Sequence, residues 1–253
     1  MIAPMRVGHR PATARLRRIR KWAVSVGLGI VLGACVAAAV AASLVSQAPS
    51  WWRTTNPTDP ATIRAGEEVE NGVVNVIYEV RETPAAPWTV TLHAADANAW
   101  LNTRLGQWLA NSDAEFEWPR EVENLQVQFD DGLIQVGVQF NGGEREQILS
   151  ATLRPEFRDD GSLWVAARSI SVGRLPIPAG WIVERAGSIA EGVVPARVLE
   201  DPETARVLRA LAGECPLDPD PVLELGDGRR VRVLRIAAER GRLLVQCRTE
   251  FEE

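Results

Sequence analysis

Histidine and cysteine, the side chains that most often carry nucleophilic and metal chemistry, are scarce in this 253-residue chain. Past the first 46 residues there is one histidine, His93, so a Ser-His-Asp or Cys-His device would have to use it. His93 falls where a strand meets a helix, a capping or surface position, and no G-x-S-x-G elbow accompanies it. A zinc site normally draws about three or four ligands from His and Cys. Here His93, Cys215 and Cys247 would be the whole supply, far apart in the chain, so no metal is expected. There is no phosphate-cradling glycine loop, because Gly27, Gly29 and Gly33 lie in an apolar run, and no cofactor is expected. No repeat recurs at a fixed period. Acidic residues are missing from residues 1–46 altogether.

What the chain does have is an uncharged run from Trp22 to Val45, WAVSVGLGIVLGACVAAAVAASLV. A bilayer core of about 30 Å needs about 20 such residues in helix. Before the run stand Arg6, Arg10, Arg15, Arg17, Arg18, Arg20 and Lys21. Cations on that flank predict a basic cytoplasmic tail over 1–21, a single transmembrane helix over 22–45 and an extracytoplasmic remainder, hence a single-pass protein of the cell membrane. A cleaved signal peptide is the weaker alternative, since its apolar core is usually about 7–15 residues long. Leu32-Gly33-Ala34-Cys35 resembles a lipobox with Cys35 acylated, but VAAAVAASLV after it stays apolar. Trp22 at one end and Trp51-Trp52 beyond the other suit interfacial anchors; the other reading puts Trp51 and Trp52 in the folded body. Gly29, Gly33, Ala37 and Ala41 recur at every fourth residue, the spacing at which small side chains let membrane helices approach.

The net charge of −5 hides an asymmetry: after Ser46 there are 21 positive and 33 negative side chains, a net of −12. An acidic body argues against nucleic acid as a partner and against broad docking on anionic lipid. Cys215 and Cys247 flank the last strands of the exported part, where an oxidising milieu permits a disulfide; a bridge and two separate buried thiols both stay open.

Residues 46–59, with Pro49 and Pro57, read as a linker, and 60–250 as one exported domain. Asp59-Pro60 starts a helix to about Tyr78, weakened by Gly66 and Gly72. Trp88 to Leu92 alternates as a strand. A second helix over 95–110 places Ala97, Trp100, Leu101, Leu105, Trp108 and Leu109 on one stripe, an apolar groove or simply a packing face. Strands follow at 122–129, 134–140, 147–157 and 163–172, joined at Asp131-Gly132, Gly142-Gly143 and Asp160-Gly161. Residues 179–189 and 202–211 read as helices. Leu223 to Leu225, Val231 to Ile236 and Leu243 to Cys247 close the chain as strands. Glu67, Glu68 and Glu70 lie on the first helix. Paired carboxylates can hydrolyse glycosides, yet Asp130-Asp131 and Asp159-Asp160 each precede a glycine where a turn is required, and turn chemistry accounts for them.

The order of elements then looks familiar. A strand enters a helix at Thr91-Leu92-His93-Ala94-Ala95-Asp96-Ala97-Asn98-Ala99-Trp100-Leu101, a meander follows, and a strand ends in Ile170-Ser171-Val172-Gly173-Arg174-Leu175-Pro176-Ile177-Pro178. Over Trp88 to Cys247 this resembles small bacterial envelope proteins of the half-barrel kind related to the tubular lipid-binding superfamily. The resemblance implies a curved antiparallel sheet wrapped on a long helix with an apolar groove; the sequence shows no obvious second half of such a tube. The expected fold is therefore α+β, with a curved antiparallel sheet packed on an amphipathic helix and one transmembrane helix before it. The expected function is a non-enzymatic envelope protein that binds an apolar ligand or lipid. The alternative is an interaction or assembly subunit of a membrane complex that holds no ligand.

Overall fold

The computed structural model describes residues 33–36, 38–81, 86–112, 118–141, 146–177 and 202–251. The chain divides into an N-terminal unit, residues 1–44, and a body, residues 45–253. In the N-terminal unit the described residues, 33–36 and 38–44, are helical. Among the described residues no helix is long and apolar enough to cross a membrane. This corrects the expected fold class: the helix over 22–45 is not an element of the described structure. Residues 22–32 and Ala37 lie outside the described residues, and Gly29 and Ala37 of the small-residue stripe lie there with them. Gly33 and Ala41 belong to the described helical turns.

The body opens with α1, Pro60–Tyr78. Its start follows local chemistry: Asp59 accepts from the Thr62 backbone N–H at 3.3 Å, and Pro60 supplies a preset φ where no N–H is needed. Strand β1, Trp88–His93, runs straight into α2, Ala94–Thr103. The second helix expected over 95–110 is broken at Arg104 into α2 and α3, Leu105–Ser112. Side chains compete for the backbone there: Asn102 donates to the Asn98 carbonyl at 2.7 Å and Thr103 to that of Ala99 at 2.7 Å. The strands β2, Val122–Asp130; β3, Leu133–Phe140; β4, Gln147–Phe157; β5, Leu163–Val172; and β6, Leu175–Ile177, follow. Helix α4, Pro202–Leu211, precedes β7, Val222–Glu224; β8, Arg229–Glu239; and β9, Arg242–Phe251. The helix expected over 179–189 lies outside the described residues.

A second correction concerns the sheet. Among the described residues there are two antiparallel sheets, not one curved sheet around a long helix: β1-β9-β8-β7 and β2-β3-β4-β5-β6. The first is closed by pairing Trp88 with Cys247 and His93 with Arg242. Turn signals reveal which neighbours form hairpins, but not that the strand before α2 joins the last strand of the chain. The Asp131-Gly132 turn has φ of 41° and 80°, the geometry of a two-residue hairpin turn matched to strand twist. It also ties the sheets together, since Gly132 N–H donates to the Ala238 carbonyl and Gly241 N–H to that of Phe129, both at 2.8 Å. Between the sheets Ala94, Ala97, Phe129 and Ala238 form a buried apolar cluster, flanked by Leu92, Val127, Ile134 and Leu243.

Helix α1 crosses α2 closely because Gly66 has no side chain: a Cβ there would stand 2.2 Å from Thr103 Oγ1 and 3.3 Å from the Ala99 carbonyl oxygen. The residue that weakens α1 as a helix is what lets it pack. The other face of the five-stranded sheet is polar. Residues 47–55, read from the sequence as linker, lie across it as a strap. Trp51 and Trp52 stand edge to face at 5.7 Å over Gly137, where a Cβ would come within 2.7 Å of Trp52. Thr55 is held at the far edge, its carbonyl accepting from Asn124 at 2.6 Å and its hydroxyl from Gln126 at 2.7 Å.

Candidate functional site

The stripe expected on the second helix does not form one groove. Trp100 and Trp108 meet edge to face at 6.3 Å, with Trp108 half exposed. Leu101 instead lines a cleft of about 260 Å³ against β2, together with Gly106 and Trp118. Leu105 and Leu109 are half-buried. The break at Arg104 separates these directions, and an uninterrupted helical period cannot anticipate it.

Asn98 and Asn102 lie off that stripe and proved to hold the helix on the sheet. Among the described residues strand β2 is an edge strand with β3 on one side only. On its open side Val127 N–H donates to Asn98 Oδ1 at 2.6 Å while Asn98 Nδ2 donates back to the Val127 carbonyl at 3.1 Å. Asn102 repeats the pair with Leu125, at 2.9 and 2.6 Å. Four residues of helix rise about 6 Å and two residues of strand about 6.6 Å, so two carboxamides one turn apart match alternate strand residues. The amides replace a missing strand. The sequence signal is an Asn-x-x-x-Asn on a helix beside an edge strand.

The larger cleft, about 360 Å³, lies between α1 and β1. Val69, Val73 and Val76 line it from the helix, and Val90 and Leu92 from the strand, with Glu68 and Asp96 among the lining residues. Among the described residues strand β1 pairs with β9 alone, so its other edge is unpaired there. Ala94 N–H bonds the Gly241 carbonyl, and antiparallel pairs alternate. By that alternation Val90 and Leu92 turn their backbone groups to β9, and Thr89 and Thr91 turn theirs outward. This cleft escaped sequence reading because its two walls come from separate elements.

Several carboxylates that could carry chemistry are engaged in structure. His93 occupies the N-cap position of α2 without a side-chain cap bond. Among the described residues no group of three or more His, Cys, Asp or Glu could hold a metal ion. Asp160 accepts from Ser162 N–H at 3.0 Å and from its hydroxyl at 2.6 Å, which holds its carboxyl below the usual range. Glu70 pairs with Arg104 at 2.7 Å, binding α1 to the α2–α3 junction, and the hydrogen bond from Arg104 lowers its pKa. Asp227 is lowered chiefly by its hydrogen bonds from Arg229, whose guanidinium also donates to the carbonyls of Tyr78 and Glu79 at the end of α1. Of the two readings left open for Cys215 and Cys247, the structure has the separate thiols and not the bridge. Cys215 and Cys247 are free thiols, as is Cys35. Cys247 lies in the core of the four-stranded sheet with Leu225 and Val231, where burial pushes its pKa up to about 11. Cys215 instead contacts the Arg206 carbonyl after α4, at 3.9 Å.

No protein-family model matches the chain, and no curated protein is significantly similar to it in sequence.

Proposed function

We propose that the chain is a membrane-tethered, non-enzymatic envelope protein whose exported body grips an extended apolar segment of a membrane-protein partner in the α1–β1 cleft. The observation that carries this reading is the juxtaposition of an open strand edge with a row of valines on the facing helix. An extended chain adding to β1 would gain main-chain bonds from Thr89 and Thr91 and bury alternate side chains against Val69, Val73 and Val76. The tether rests on the uncharged run from Trp22 to Val45 and the seven cations before it. A lipid carrier is the weaker reading, because an acyl chain in the α1–β1 cleft would cover the outward backbone groups of Thr89 and Thr91 without pairing them, and Glu68 and Asp96 line the same cleft.

The test is isolation of the full chain from its native membrane in mild detergent, followed by native mass spectrometry. A partner polypeptide at fixed stoichiometry is expected, lost in Val73→Arg and in Thr91→Pro with circular dichroism unchanged. Thr91→Pro removes an outward donor and spares the bonds to β9. A stoichiometric acyl lipid that depends on the same residues would overturn the reading. So would a body reachable only by cytosolic protease.

A further inference from the structure

The polar face of the five-stranded sheet carries a second cavity, about 290 Å³, between the strap and strands β4 and β5. Its floor is a grid of hydroxyls. Ser150 lies opposite Ser171 and Thr152 opposite Ser169 in the strand register. Side chains directly across an antiparallel pair stand about 5 Å apart and those two residues along a strand about 6.6 Å, so the four occupy a small rectangle. No hydrogen bond to another described residue engages any of the four hydroxyls.

The wall is an indole. Trp51 lines the cavity and is braced by Trp52 and by the backbone at Gly137. At the rim Arg174 is fixed by two bonds, Nε to the Ala48 carbonyl at 2.9 Å and Nη1 to Gln47 Oε1 at 3.2 Å. Those bonds leave Nη2 to serve a ligand. Among the described residues no carboxylate lines the cavity, although the body as a whole is acidic.

From this juxtaposition we propose that the cavity under the strap is a binding site for an acidic saccharide. A pyranose ring has an apolar C–H face, which stacks on an indole, and a rim of hydroxyls that donate and accept. The Trp51 ring takes the first. The Ser and Thr hydroxyls take the second, since each hydroxyl can both donate and accept. The Arg174 guanidinium takes the carboxylate in a charge-assisted bond, the stronger kind of hydrogen bond. A lipid tail would leave the hydroxyls covered without partners, which costs more than a tail's contacts return.

The experiment uses the full chain in detergent, with trigalacturonate and maltotriose as acidic and neutral probes, read by calorimetry and by saturation-transfer NMR. Trigalacturonate is expected to bind at one site, with saturation strongest on ring C–H protons and affinity at least tenfold above that for maltotriose. Arg174→Gln should cut the acidic-over-neutral ratio about tenfold, and Thr152→Val/Ser169→Ala should weaken both sugars severalfold. Ser169 is exposed and Thr152→Val keeps the side-chain shape, so both variants keep the fold, which circular dichroism verifies. Absence of saturation transfer, equal affinity for the two sugars, or unchanged binding in the hydroxyl double variant would each overturn the proposal.

Discussion

At the residue scale, single side chains do work that their type alone does not announce. Asn102 is the clearest instance. Its carboxamide satisfies both backbone groups of Leu125 on an otherwise open strand edge. Each bond contributes about 0.5–1.5 kcal/mol net, and a part-buried group left unpaired costs about 1–3 kcal/mol. Asn102→Ala is therefore expected to destabilise the body by about 2–3 kcal/mol, measured as a lower urea midpoint. Asn102→Asp should fail to rescue it, because a carboxylate accepts from Leu125 N–H but offers nothing to its carbonyl. Exposed edges of strands invite pairing with other chains, so Asn102→Ala should also aggregate faster on mild heating, seen by light scattering.

At the scale of elements, helix α1 is held by groups whose charge depends on pH. Glu70 joins it to the α2–α3 junction, and the hydrogen bond from Arg104 keeps the folded pKa of Glu70 below the ordinary glutamate value. At the other end Asp227 orients the Arg229 guanidinium that bonds the last carbonyls of α1. Both carboxylates are depressed on folding, so below their unfolded values the unfolded chain binds more protons. Their contribution is complete at neutral pH, begins to fade as pH drops past roughly 4, and is gone below the folded pKa values. Urea midpoints measured from pH 7 to pH 3 should show this fall. In Glu70→Gln the fall should be shallower and the midpoint at pH 7 already lower. A pH-independent midpoint would contradict the role given to these pairs.

At the scale of the whole body, two sheets share one apolar seam. Phe129 is 3% exposed and meets Ala94, Ala97 and Ala238. Those neighbours come from α2 and from the four-stranded sheet, whereas Phe129 belongs to the five-stranded one. Phe129→Ala is expected to cost about 3–5 kcal/mol, the range for emptying a buried aromatic site. The two sheets should still melt together, with fluorescence and far-UV dichroism tracing one transition, because the Gly132–Ala238 and Gly241–Phe129 bonds link their hairpins. Two separate transitions in the unaltered body would show that the seam does not couple them.

Much of the body was legible before any tertiary contact was known. The strands over 147–157 and 163–172, the Asp59-Pro60 helix start and the Asp131-Gly132 turn all follow from neighbours within a few residues. Side-chain alternation, a cap oxygen and a turn that tolerates positive φ are local requirements, and the chain meets them locally. The apolar run from Trp22 to Val45 and the charge asymmetry are likewise properties of composition. Tertiary structure decided the rest. Only folding pairs Trp88 with Cys247 and so divides the strands between two sheets. Only folding sets Asn98 and Asn102 on the edge of β2, lays Trp51 over Gly137, and faces α1 with β1 to open a cleft. Each of these joins residues far apart in the chain, and the energy that selects them comes from burial and hydrogen bonds that exist only after the chain has closed on itself.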